Sequence, residues 1–178
     1  MKLISLTALV LGVGVLAGAA NAQQPAAPAG PPDLNAIPDK MPFNTPYGTP
    51  ISMERAQAVV QAGVAEANKR GWQMNVAVVD TNGDLVAFAR MDGAQLASVT
   101  ISQHKARVAA RYRRPTRVFE DSVQHGVPYV ATLDDVVASR GGIPLIEGAK
   151  LIGAVGCSGG TGSQDEAVCT AASGTINK

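Results

Sequence analysis

The last third of the chain most narrows what it can become. Residues 141–166 read GGIPLIEGAKLIGAVGCSGGTGSQDE. Two apolar runs, 143–146 and 151–155, flank the polar turn Glu147-Gly148-Ala149-Lys150. Two buried-strand patterns joined by a short glycine-containing turn predict a β-hairpin. A glycine-rich loop follows at 156–162, and then Ser163-Gln164-Asp165-Glu166, with the Ser-x-x-Glu spacing of a capping box. A strand that passes through glycines into a helix N-terminus leaves backbone N–H groups pointing one way, which suits a carboxylate or phosphate.

The preceding residues alternate in the same manner. Ser52 can cap a helix from 53 to about 70, in which Ala56, Val59, Val60, Gly63, Val64 and Ala67 form one apolar stripe and Gly71 is the stop. Residues 74–80 read as a strand, Asn82-Gly83 as a hairpin turn, and 85–90 as the returning strand. A second helix begins near Leu96 or Ser98 and must stop near Arg114, because Pro115 follows. Thr116 is positioned to cap a short third helix, 117–125, closed by Gly126. Val136-Val137-Ala138 reads as a short strand, and a last helix spans about 164–174. Hairpins alternating with helices predict an α+β domain, an antiparallel sheet with helices packed on it.

With 178 residues, 46% hydrophobic and 16% charged, the chain suits one globular domain. Only 4% is aromatic, so the core must rest on small aliphatic side chains. The 15 basic residues include Lys2 and stand against 14 acidic ones. That near-neutrality argues against nucleic acid as a partner and lowers the barrier to self-association. The first 22 residues read as a secretory signal peptide: a basic start, an apolar run and the small-x-small site Ala20-Asn21-Ala22. The alternative, a membrane anchor, fits less well with a cleavage site followed at once by Gln23-Gln24-Pro25. The mature chain is therefore expected to begin at Gln23, in the periplasm or outside the cell, with no stable membrane insertion. Residues 23–50 carry most of the prolines and no helical or strand period, so a loose arm is expected. Its more apolar end, 41–48, is expected to lie across the domain or a neighbouring subunit. The folded domain is 51–178.

Cys157 and Cys169 are the only cysteines. Export would place them in an oxidising compartment, and a disulfide between them would pin the glycine loop. Their spacing does not fit a Cys-x-x-Cys redox motif, and a zinc site would need further ligands. His104 and His125 are the only histidines. At helical spacing Ile101, His104, Lys105, Val108 and Tyr112 share one side. That side is either an amphipathic surface with a snorkelling lysine or a pocket wall offering an imidazole and a cation. His125, ahead of Gly126, reads as a helix C-terminal residue. The basic run Arg107, Arg111, Arg113 and Arg114 suits a solvated face, an anionic small ligand or an acidic subunit surface. Gly156-Cys157-Ser158-Gly159-Gly160 has the lettering of a nucleophile elbow, but the next helix starts too late for one. No recognisable catalytic set is present.

Several blocks, taken together, resemble the GlcG/HbpS family between about residues 51 and 172. They are Val76-Ala77-Val78-Val79-Asp80 with Gly83, Arg90-Met91-Asp92-Gly93-Ala94, Ser98, Lys105-Ala106, Gly141-Gly142-Ile143-Pro144, Ile152-Gly153-Ala154-Val155-Gly156 and Ser158-Gly159. Gln164-Asp165-Glu166 is similar to the exported branch. The resemblance implies a profilin-like three-layer α/β/α fold with a five-stranded antiparallel sheet, homo-oligomers, and haem as the ligand class. It leads to the expectation of an exported, non-enzymatic haem or tetrapyrrole binder acting in sequestration, sensing or haem handling. In that reading His104 ligates the iron, Lys105 or an arginine such as Arg90 meets a propionate, and Asp92, Ser158, Gly159 and Gly160 line the pocket. The alternatives are a binding module or accessory protein for a small organic acid, seated on the glycine loop, and a small enzyme of haem or organic-acid metabolism.

Overall fold

The computed structural model describes residues 36–177. The expected signal peptide, 1–22, and the first part of the arm, 23–35, lie outside the described residues. Four helices and four strands follow one another: α1 (Met53–Arg70), β1 (Asn75–Val79), β2 (Leu85–Arg90), α2 (Ala97–Arg111), α3 (Arg117–Gln124), β3 (Gly142–Glu147), β4 (Lys150–Ser158) and α4 (Gly162–Ser173). The strands form one antiparallel sheet in the order β2-β1-β4-β3. No described helix is long and apolar enough to cross a membrane.

The sheet is covered on both faces. Val76 and Val78 of β1 pack with Val59, Val60 and Ala67 of α1 and Val168 and Ala172 of α4. On the other face Val79 and Ala154, paired across β1 and β4, pack against Ala106, Ala109 and Ala110 of α2. This second interface is made of small residues, and glycine makes it possible. A methyl group on Gly156 would overlap Ser102 O and Ala106 N, and one on Gly142 would overlap Lys105 O. Helix α2 therefore lies nearly in backbone contact with the β3–β4 hairpin.

Local chemistry accounts for the ends of the elements. Ser52 caps α1, and Gly71 closes it at φ 69°, a left-handed conformation that glycine adopts without penalty. Asp80 Oδ1 accepts the N–H groups of Asn82, Gly83 and Asp84, which fixes the turn between β1 and β2. The cap of α4 differs from the expected one. Thr161, with extended backbone, accepts from Gln164 N while the Gln164 side chain accepts from Thr161 N, so the capping box starts two residues before Ser163. Thr116 does not cap α3. Its backbone is already helical, and its Oγ1 accepts from Gly142 N, tying α3 to β3 instead.

The sheet has four strands rather than the expected five. The residues Val136-Val137-Ala138 form no strand. Pro128 opens a 3-10 turn, Pro128–Thr132, and Val130, Val136 and Ala138 fold onto Phe119 and Val108. These apolar groups are buried against α2 and α3, so no strand pairing is needed to bury them.

The end of the arm lies along the same domain. Leu151 N donates to Pro46 O, Gly48 N donates to Leu151 O, and Ile51 N donates to Ile152 O. The basic run at the end of α2 holds this segment. Tyr47 Oη donates to Arg111 O at 3.0 Å, Arg113 donates to Thr45 O at 3.2 Å, and the Arg114 guanidinium lies 3.6 Å from the Phe43 ring centroid. Arg113 and Arg114 thus meet the arm with their side chains, whereas Arg111 turns its guanidinium to Asn82 O and Asp135, and Arg107 donates to Gly83 O.

Candidate functional site

The glycine loop is an anion site, and the anion is the chain's own. Asp165 sits in the first turn of α4, and its Oδ1 accepts from both Gly159 N and Gly160 N at 3.0 Å. Its Oδ2 accepts from Lys105 Nζ at 2.7 Å. Both side chains are sealed from solvent, 2% exposed for Lys105 and 4% for Asp165. Gly141, at φ 114°, passes close to both groups and leaves room for them. The donors expected to meet a ligand are therefore satisfied internally, and Lys105 is neither a snorkelling lysine nor a free cation. Cys157 and Cys169 form the expected disulfide, with Cα atoms 5.6 Å apart, and fasten β4 to α4 beside this pair.

Ser158 is also committed. It is 4% exposed, and its Oγ donates to Ser98 Oγ at 3.0 Å under the start of α2. Asn75, in the paired position on β1, donates to Ser158 O, and its Oδ1 has no protein partner among the described residues. No histidine adjoins this serine, so it lacks the base a nucleophile needs.

An open concavity lies beside this end of the sheet, where β1 begins and β2 and β4 finish. A cleft of about 530 Å³ is walled by Val64 and Asn68 of α1, Trp72, Gln73, Ala89 and Met91, with Arg90 and Asp92 at its mouth. A smaller hollow of about 200 Å³ shares Trp72 and Gln73 and reaches Gly159, Gly160 and Gln164. Four of the residues singled out in the sequence, Arg90, Asp92, Gly159 and Gly160, thus meet along one surface. Arg90 and Asp92 make no ion pair or side-chain hydrogen bond among the described residues, with each other or with any other group. The sequence reading missed Trp72, the only tryptophan, which directly follows the Gly71 stop of α1. A lone large aromatic at a helix-to-strand junction was the available signal.

His104 is elsewhere. The sheet-facing residues of α2 are Ser98, Ser102, Lys105, Ala106 and Ala109, and at 100° per residue His104 projects away from them. Its ring is partly exposed and makes no hydrogen bond among the described residues. His125 is exposed at the end of α3, with Nδ1 2.6 Å from Asp121 O. No group of three or more His, Cys, Asp or Glu side chains is placed to hold a metal ion among the described residues.

The cleft fits a planar ring bearing carboxylates in its apolar wall, the Trp72 ring and the free Arg90 cation. It does not fit one imidazole-ligated haem within a single subunit, because His104 stands on the far side of the sheet.

Comparison with known proteins bears on this geometry. Residues 51–173 match the family model described as haem degrading protein HbpS-like. The chain is 40% identical over 108 residues to protein GlcG of Escherichia coli, which covers 61% of this chain and 81% of GlcG. Its fold is similar to that of a double mutant of HbpS from Streptomyces reticuli, with a TM-score of 0.68 and 25% identity over 83% of this chain and 100% of the other. It is also similar to the PduOC:heme complex, with a TM-score of 0.67 and 28% identity over 72% of this chain and 96% of that one.

Proposed function

Because the chain belongs to the HbpS-like family, we infer that it binds haem or a closely similar tetrapyrrole, as an exported and self-associating protein. The observation that carries this is the likeness to the PduOC:heme complex, at 28% identity over nearly the whole of that chain. Bound haem supplies the iron; this chain supplies the surface, the cation and the ligand. Val64, Trp72, Ala89 and Met91 would cover the ring, and Arg90 would meet a carboxylate with a charge-assisted hydrogen bond. His104 is the proposed imidazole. Its place on the outer face of α2 means that a ring it ligates would be covered by the cleft of a second subunit, not by that of its own. The disulfide supports export, since such bonds persist in oxidising compartments.

The organic-acid reading is weaker than the sequence suggested, because Asp165 occupies the donors on which it depended. Arg90, lining the cleft, remains a cation with no ion pair among the described residues.

An absorption titration of the mature protein from Gln23 with haemin tests the reading and locates the ligand. Wild type is run beside His104→Ala and Trp72→Ala. A saturable Soret shift near one haem per subunit is the expected result. Its loss in His104→Ala alone assigns ligation to the outer face of α2, whereas its loss in Trp72→Ala alone assigns the ring to the cleft. A weak, unsaturable shift common to all three proteins overturns haem binding and returns Arg90 to the search for small carboxylates.

A further inference from the structure

Trp72 walls both the cleft and the smaller hollow, so the shape of each depends on where its indole points. The backbone there has little freedom. Trp72 N donates to Ala67 O beside the left-handed Gly71 that closes α1. Two residues on, Met91 N donates to Met74 O, and Met74 N donates to the Met91 sulfur. Trp72 is thus held between a helix end and a strand start, which leaves its two side-chain torsions as the open variables. The ring, only partly buried, rests against the core under α1, and its N–H donates no hydrogen bond among the described residues. The charged group that meets the ring is Arg70. Its guanidinium carbon lies 5.0 Å from the indole centroid. Arg70 lines neither hollow, so it backs the side of the ring turned away from them.

Arg70 is itself held. Its Nε donates to Glu66 Oε1, one turn back on α1, in the favourable order with the acid N-terminal to the base. It stands in the last turn of α1, where the helix dipole favours a cation. A guanidinium plane also stacks on an indole better than a compact ammonium does. We propose that Arg70, anchored by Glu66, is the positioning residue of the cleft: it fixes the Trp72 ring so that the opposite face is presented to a flat aromatic ligand. This deepens the tetrapyrrole reading and rests on it. Arg70 touches no ligand. It acts by freezing the ring before binding, so the ligand does not bear the cost of ordering that side chain, and by occupying one face, so a single face remains for offset stacking. Glu66 acts one step further back, by keeping Arg70 from swinging into water.

Trp72 is the only tryptophan, so indole emission reports this ring alone. The mature chain from Gln23 is first quenched with acrylamide in the absence of haemin. Arg70→Ala is expected to raise the quenching constant, because the covered face opens, and Glu66→Gln to raise it part of the way. Arg70→Lys, which keeps the charge without the plane, falls between wild type and Arg70→Ala. Arg55→Ala is the control: it removes an exposed ion pair with Glu147 from the same helix and no aromatic contact, and it leaves the constant unchanged. Haemin is then titrated against the same emission. Arg70→Ala is expected to raise Kd about twofold to fivefold, with partial recovery in Arg70→Lys and no change in Arg55→Ala. Circular dichroism confirms that each variant is folded, and a merely structural Arg70 would lower the urea midpoint without moving Kd. The proposal is overturned if Arg70→Ala leaves the quenching constant or the haemin Kd at the wild-type value, or if Arg55→Ala moves both readings as far. Wild type that gives no saturable haemin quenching overturns haem binding instead, and acrylamide alone then decides what Arg70 does to the ring.

Discussion

A single carboxylate does three jobs at the centre of this protein. Asp165 neutralises Lys105, with both side chains sealed from water, and accepts the two N–H groups of the glycine loop. Removing one partner of a buried pair strands the other charge, which costs far more than the pair contributes over an apolar replacement. Asp165→Ala is therefore expected to lower unfolding free energy by about 3–5 kcal/mol, measured by urea denaturation. Asp165→Asn keeps an acceptor for the glycine N–H groups and should cost less than Asp165→Ala. A loss below about 1 kcal/mol for Asp165→Ala would mean that Lys105 finds water readily. At this scale the sequence was half legible. Its glycine loop and helix N-terminus announced an anion, but spacing along α2 could not show that Lys105 turns inward, because its partner lies sixty residues later. His104, one position away, turns outward for the same geometric reason. Adjacent residues on a helix point 100° apart, so the pair that looked like one ligand set is divided between the interior and the surface.

The elements were more legible than the side chains. Periodicity and stop signals located α1 and both hairpins, because Ser52, Gly71 and the glycine-containing turns act locally. The segment at 128–138 was not legible, because its apolar residues are claimed by α2 and α3 rather than by a neighbouring strand. Tertiary burial overrides β propensity there. The glycines of the last third look like ligand-binding residues in the sequence, and the fold uses several of them to let helix and sheet approach. Gly156→Ala tests that use. Its new methyl would meet Ser102 O and Ala106 N, both backbone atoms of α2 that cannot rotate away. The helix would have to move off the sheet, and overpacking of this kind costs about 1–3 kcal/mol or more. The expected outcome is at least that loss in denaturant unfolding, with enhanced amide exchange along α2 and β4. Gly148→Ala in the β3–β4 turn is the contrast: it has open space around it and only its left-handed φ of 53° to strain. A loss for Gly156→Ala no larger than that for Gly148→Ala would show that α2 yields readily and that the close approach is not needed for stability.

The whole molecule is tied together by the segment ahead of its first helix. Residues 43–51 run from the end of α2 to the start of β4, joining the two faces of the sheet by an extended strap. Neither end of the contact is encoded near the other. Arg111, Arg113 and Arg114 read as a solvated or ligand-facing run because the groups they meet, Tyr47, Thr45 and Phe43, lie more than sixty residues earlier. Stacked guanidinium groups contribute about 0.5–1 kcal/mol each at exposed sites, and each strap hydrogen bond a similar amount. Ordering the strap costs about 1–2 kcal/mol per residue in backbone entropy and cancels much of that gain. A chain beginning at Thr49 should therefore fold and lose about 2 kcal/mol, which lowers Tm by several degrees for a domain of this size. The double variant Phe43→Ala, Tyr47→Ala should reproduce at least half of the shift while keeping the backbone bonds to Leu151. If the truncated chain melts like the full one, the strap's contacts only balance its own ordering. In that case Arg113 and Arg114 are available to another partner.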